Sequence, residues 1–109
     1  MAKYIQVTTT AGNREDADKI AKVVVEKRLA ACAQVFGPIR SVYWWKGKRE
    51  SADEWLCVIK SRSDKYGELE SAILSVHPYE NPEIIASPIV AGSKKYLAWL
   101  NEELDDEVI

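Results

Sequence analysis

The chain's only histidine, His77, opens the run His77-Pro78-Tyr79-Glu80-Asn81-Pro82-Glu83, which places an imidazole, a phenol and two carboxylates within seven residues. An imidazole nitrogen of His77 with carboxylate oxygens of Glu80 or Glu83 is a donor set that a divalent cation accepts. Three or more ligands are the norm, so further donors would come from elsewhere in the chain or from another subunit. The same groups could orient a small polar ligand, and a histidine before proline is also an ordinary helix stop. A second stretch, Thr8-Thr9-Thr10-Ala11-Gly12-Asn13-Arg14, joins a strand-like segment to a helix start. Its hydroxyls and free N–H groups could hold an anion, but it lacks a phosphate-loop or GxGxxG signature, and capping accounts for its composition. Lys60 follows apolar residues and could reach an anion or protect a sheet edge. No nucleophile–base pair or hydrolase elbow occurs, so no catalytic residue is assigned and a non-enzymatic role is expected.

The elements that must carry these groups follow from periodicity. Residues 3–9 alternate as a first strand. Asn13 caps a helix whose apolar face is Ala17, Ile20, Ala21, Val24 and Val25, ending near Lys27-Arg28. Strand pattern resumes over Ala31–Trp45, broken at Gly37-Pro38, and returns after a Lys46-Gly47-Lys48 turn in a third strand with Trp55, Cys57 and Ile59 on one face. Ser63 or Asp64 starts a second helix that Pro78 stops. Residues Pro82–Val90 read as a fourth strand, and Ser93 caps a final helix with Tyr96, Leu97, Trp99, Leu100 and Leu104. The order βαββαβ plus a terminal helix predicts an α+β, ferredoxin-like antiparallel sheet in a single domain, 1–109.

The second and third strands are long for such a domain. Fully extended, Ala31–Trp45 would span about 50 Å, against a diameter of about 35 Å for a compact chain of this length. The hairpin should overshoot its sheet or bend at Gly37-Pro38. Val42, Tyr43, Trp44 and Trp45, with Trp55 across the turn, form an aromatic tip that predicts packing against a neighbouring subunit. Cys32 and Cys57 fall about 16 Å apart in this pairing, too far for a disulfide, and both read as small core residues.

Composition bounds the partners. Of the 109 residues, 47% are apolar and 29% charged, a globular balance. Glu102, Glu103, Asp105, Asp106 and Glu107 crowd the C-terminus as a solvated helix exit, leaving 15 bases against 12 acids over residues 1–101. Without a basic stripe or an aromatic RNA-reading segment, nucleic acid is not an expected partner. No apolar run is long enough to span a bilayer and no secretory signal is evident, so no membrane association and a cytoplasmic location are expected.

With these pieces placed, the chain resembles the CutA family of divalent-cation-tolerance proteins. The resemblance rests on Glu26-Lys-Arg-Leu-Ala-Ala-Cys-Ala33, Ser41-Val-Tyr-Trp-Trp-Lys-Gly-Lys48, Ile59-Lys60-Ser61, His77-Pro-Tyr-Glu-Asn-Pro-Glu-Ile84 and Tyr96-Leu-Ala-Trp99-Leu. It implies a tight homotrimer similar to the PII signalling proteins, with hairpins extending sheets across subunits and Val42, Trp44 and Trp55 at the interface. It also implies a cleft between subunits lined by Thr9, Tyr43, Trp45, Lys60, His77, Tyr79, Glu80 and Glu83, and binding of a divalent metal such as Cu2+. Some members carry a cysteine where Thr9 stands, and threonine is a poorer ligand for a soft metal. A PII-like trimer that binds a small anionic metabolite or nucleotide through Lys60 or the Thr8–Arg14 turn is the alternative. A small hydrolase of the acylphosphatase kind lacks its anion loop here.

Overall fold

The structure, a computed structural model, describes residues 2–105. Its elements are β1 (Tyr4–Ala11), α1 (Arg14–Glu26), β2 (Cys32–Trp45), β3 (Lys48–Arg62), α2 (Tyr66–Val76), β4 (Ile85–Pro88) and α3 (Lys94–Leu104). The strands make one antiparallel sheet in the order β2-β3-β1-β4, the ferredoxin-like α+β arrangement with one added helix.

Local chemistry sets most boundaries. Asn13 Oδ1 accepts the Asp16 N–H at 2.8 Å and starts α1. Arg28 then turns left-handed at φ 57°, and the Leu29 N–H returns to the Val24 carbonyl at 3.0 Å, closing the helix. The two-residue loop Lys46-Gly47 has φ of 50° and 80°, the mirror-image turn whose twist matches a hairpin. Ser93 Oγ caps α3 by accepting the Tyr96 N–H at 3.4 Å. Two expectations change. Neither Ser63 nor Asp64 caps α2: Ser63–Lys65 form a 3-10 turn, Ser63 Oγ donates to the Ala2 carbonyl, and Asp64 pairs with Arg62 at 2.9 Å. The fourth strand is also shorter than Pro82–Val90: only Ile85–Pro88 pair with β1, and Pro82 has no N–H to offer a ladder.

Alternation divides the sheet into two faces. Ile5, Val7 and Thr9 of β1 stand opposite Ser61, Ile59 and Cys57 of β3, and the core they floor is completed by Ile20 and Val24 of α1 with Leu69 and Ile73 of α2. Burial pushes the Cys57 thiol up to about 12. Cys32 is not a core residue as predicted: it opposes Lys60, one alternation out of phase with Cys57, and is half-buried. Cys57 pairs with Val35, so the two thiols are three register positions apart and both are free. On the phase shared by Lys60 and Arg62, Arg62 bonds Asn101 at 2.9 Å and Asp105 at 3.1 Å, tying α3 to β3. Arg28 also pairs with Glu103 at 3.0 Å. The acidic C-terminus is thus partly anchored rather than simply solvated, while Asp106 and Glu107 lie outside the described residues.

The hairpin projects as its length predicts. β2 and β3 have 14 and 15 residues, and the molecule measures 49 × 28 × 22 Å. Its radius of gyration is 14.6 Å, against about 13 Å for a compact chain of this size. The pairing shifts register between Phe36 and Ile39, around the cis Gly37-Pro38 bond. Beyond the shift, Val42 and Trp44 are 64% and 75% exposed. Trp55 does not share that tip: it lies opposite Ala11 of β1, half-buried against Gly37, where an added Cβ would come within 2.7 Å of its ring.

Candidate functional site

Pro78 disfavours helical backbone for the residue before it, and His77 leaves α2 extended, at φ −78° and ψ 130°. The imidazole turns back onto the end of β1 and is 9% exposed. Its Nδ1 lies 3.2 Å from the Tyr79 N–H and its Nε2 lies 2.8 Å from the Thr10 carbonyl. A backbone N–H can only donate, so Nδ1 accepts and Nε2 carries the proton that it donates to Thr10. Tyr79, its ring 4.9 Å from that of His77, donates its hydroxyl to Glu54 Oε2 at 2.7 Å. Burial, then the bond to Glu54, pushes the Tyr79 phenol far above its ordinary range and keeps it a donor. Gly12 admits the phenol: a Cβ there would sit 3.2 Å from the hydroxyl oxygen. These bonds pin the loop after α2 to both β1 and β3.

Beside the pinned loop opens a cavity of about 660 Å³. One wall is the hairpin, with Ser41, Val42, Tyr43, Trp44 and Trp45; the other is the loop, with Tyr79, Glu80, Asn81, Pro82 and Glu83; Thr10 and Glu54 complete the lining. Among the described residues, Glu54, Glu80 and Glu83 line this space and no lysine or arginine does. Aromatic rings and acids at one cavity suit a positively charged ligand better than an anion.

The predicted site residues divide accordingly. Tyr43, Trp45, Tyr79, Glu80 and Glu83 meet at the cavity, together with Val42 and Trp44. His77 stands behind Tyr79 with both ring nitrogens engaged. Lys60 is elsewhere, donating to Gln34 Oε1 at 2.6 Å. Thr9 is not a cleft residue: strand alternation turns it into the core opposite Cys57, fully buried and with its Oγ1 unpartnered among the described residues, while Thr10 faces the cavity. The start of α1 is occupied by its own Asn13 cap. Sequence reasoning missed Glu54, and considered Thr10 only within a turn that could hold an anion. The available signal for Glu54 is an acid in the same alternation phase as Leu56 and Val58.

Among the described residues, no three histidine, cysteine, aspartate or glutamate side chains gather closely enough to hold a metal ion. A ligand role for His77 would break one of its two hydrogen bonds.

The CutA1 divalent ion tolerance protein model matches residues 5–103. The divalent-cation tolerance protein CutA of Archaeoglobus fulgidus is 43% identical over 105 residues, which are 96% of this chain and 100% of that protein. The chloroplastic protein CutA of Arabidopsis thaliana is 44% identical over 96 residues, 88% of this chain but 53% of the longer plant protein. The solved structure of the periplasmic divalent cation tolerance protein CutA from Archaeoglobus fulgidus superposes with a TM-score of 0.90 at 40% identity, covering 94% of this chain and 99% of that chain. No helix among the described residues is long and apolar enough to cross a membrane. The expectation of a cytoplasmic location is overturned, since one of these relatives is described as periplasmic and another as chloroplastic. An almost full-length match, close relatives and a shared backbone agree with the motifs around Trp44 and His77: the chain belongs to the CutA1 divalent ion tolerance family.

Proposed function

We propose that the chain works as a homotrimer that binds a divalent cation, Cu2+ being the ion to test, at this cavity between subunits and without turnover. The carrying observation is the cavity itself, lined among the described residues by Glu54, Glu80 and Glu83 and no basic side chain, against a hairpin that projects from its own sheet. The exposed Glu80 and Glu83 supply oxygen donors, which Cu(II) accepts, and a neighbouring copy supplies the rest. His77 positions the loop rather than the ion. Val42 and Trp44, with Phe36 and Ile85 on the sheet, present the apolar surface that a second copy covers. Trp55 is left out of that surface because Gly37 already receives it.

Sedimentation equilibrium should give the mass of three chains, and Trp44→Ser should lower it. Loss even of an outer partner weakens metal affinity ~10–100-fold, so replacing both Glu80 and Glu83 by Gln should weaken Cu(II) binding at least about tenfold. A stable monomer at micromolar concentration, or a Cu(II) isotherm unmoved by the double substitution, overturns this reading.

A further inference from the structure

We infer that the same cavity binds a small organic ammonium ion, held over aromatic faces and countered by Glu54. This rests on the cavity being the ligand site, but on neither the trimer nor the metal. Glu54 is 7% exposed and still reaches the cavity lining. Its Oε2 accepts the Tyr79 hydroxyl; among the described residues its Oε1 takes no hydrogen bond and the group joins no ion pair, and Oε1 is not an enclosed atom. A carboxylate mostly withdrawn from water gains from a nearby countercharge, and the cavity on which this one opens is where a cation can stand.

The walls choose the kind of cation. Tyr43, Trp45 and Tyr79 offer rings whose electron-rich faces attract positive charge within about 6 Å of the centroid. The Trp45 ring already does so within the chain, with Lys46 Nζ 5.5 Å from its centroid. At this cavity a small metal ion would rely on the oxygens of Glu80 and Glu83, not on the indole and phenol faces. Those faces match the methyl or methylene groups of an alkylammonium, which carries its charge on an apolar, weakly hydrated surface. The volume, about 660 Å³, lies within the range of small-molecule sites. An anionic ligand would meet Glu54, Glu80 and Glu83 with no basic group in the lining to offset them.

Calorimetry in the presence of a metal chelator tests this with choline chloride as probe and 3,3-dimethylbutan-1-ol as its uncharged isostere. Choline should bind at least about tenfold more tightly than the alcohol. Glu54→Gln, which keeps an oxygen for Tyr79, and Trp45→Leu should each weaken choline at least about tenfold, whereas Trp45→Phe, which keeps a ring, should retain most of the affinity. Circular dichroism confirms that each variant is folded. Equal affinities for choline and the alcohol, no choline binding at concentrations on the order of 10 mM, or indifference to both Glu54→Gln and Trp45→Leu overturns the inference. A Cu(II) titration of the same preparation separates the two readings. Metal binding without choline binding removes the ammonium site alone, and choline binding without metal binding removes the divalent-cation reading alone.

Discussion

On β3, Cys57 and Ile59 lie beneath α1 and α2 at 1% and 0% exposure, whereas on β2 of the same hairpin Val42 and Trp44 stand 64% and 75% exposed. All four are apolar residues of one antiparallel ribbon; what differs is whether a helix from the same chain lies over them. The near half of the ribbon has α1 above it and satisfies its hydrophobic surface internally. Toward the turn the ribbon leaves Val42 and Trp44 exposed. The first half holds the fold together, and the second is available for assembly and for the cavity wall.

Substitutions should separate the two halves. Ile59→Ala removes a core side chain and should cost about 2–5 kcal/mol by denaturant unfolding. Trp44→Ser should leave the circular dichroism of the fold intact while lowering the sedimenting mass. If Trp44→Ser unfolded the chain as severely as Ile59→Ala, the contrast between the halves would fail.

Thr9 sharpens the comparison from inside the core. A buried polar atom without a partner costs ~1–3 kcal/mol, and Thr9 Oγ1 is such an atom. Thr9→Val keeps the shape, and should stabilise the protein by about 1 kcal/mol and raise the melting temperature by several degrees. A lower melting temperature would show that the hydroxyl is satisfied after all.

The smallest effect belongs to the surface pair Arg62–Asp64. The Arg62 guanidinium holds the Asp64 carboxyl below its ordinary value. A carboxyl with a depressed folded-state value contributes stability above its unfolded pKa of about 3.9 and loses it as pH falls through the folded value. Because the Asp64 side chain is largely exposed, solvent screens most of this contribution. Asp64→Asn should therefore lower the urea midpoint slightly at pH 7 and cease to differ from the parent once both states are protonated. A midpoint difference that grows toward low pH would reverse the assigned sign.

Much of the fold is legible in one dimension because its causes are local. The face of α1 at Ala17, Ile20 and Val24, the caps at Asn13 and Ser93, the turn at Lys46-Gly47 and the stop at Pro78 each depend on neighbours a few residues away. The errors arise where distant groups compete. Asp64 is a reasonable cap in isolation, but Arg62 takes it. Cys32 looks like core until register places it opposite Lys60. Trp55 looks like part of the aromatic tip until β1 pairs with it through Ala11 and Gly37 leaves room for its ring.

The site follows the same rule. Its residue types are written in the chain: the rings of Tyr43 and Trp45, and the phenol and acids of the run beginning at His77. By itself the sequence determined the order of elements, the overlong hairpin and the supply of aromatic and acidic groups, since these depend on composition and short-range periodicity. Only the tertiary structure decided that His77 pins a loop with both nitrogens, that Thr10 rather than Thr9 faces the cavity, and that Glu54 joins the wall. Those outcomes depend on a register that shifts at Phe36 and Ile39 and on hydrogen bonds between residues as distant as Thr10 and His77. Such pairings exist only once the strands have found one another.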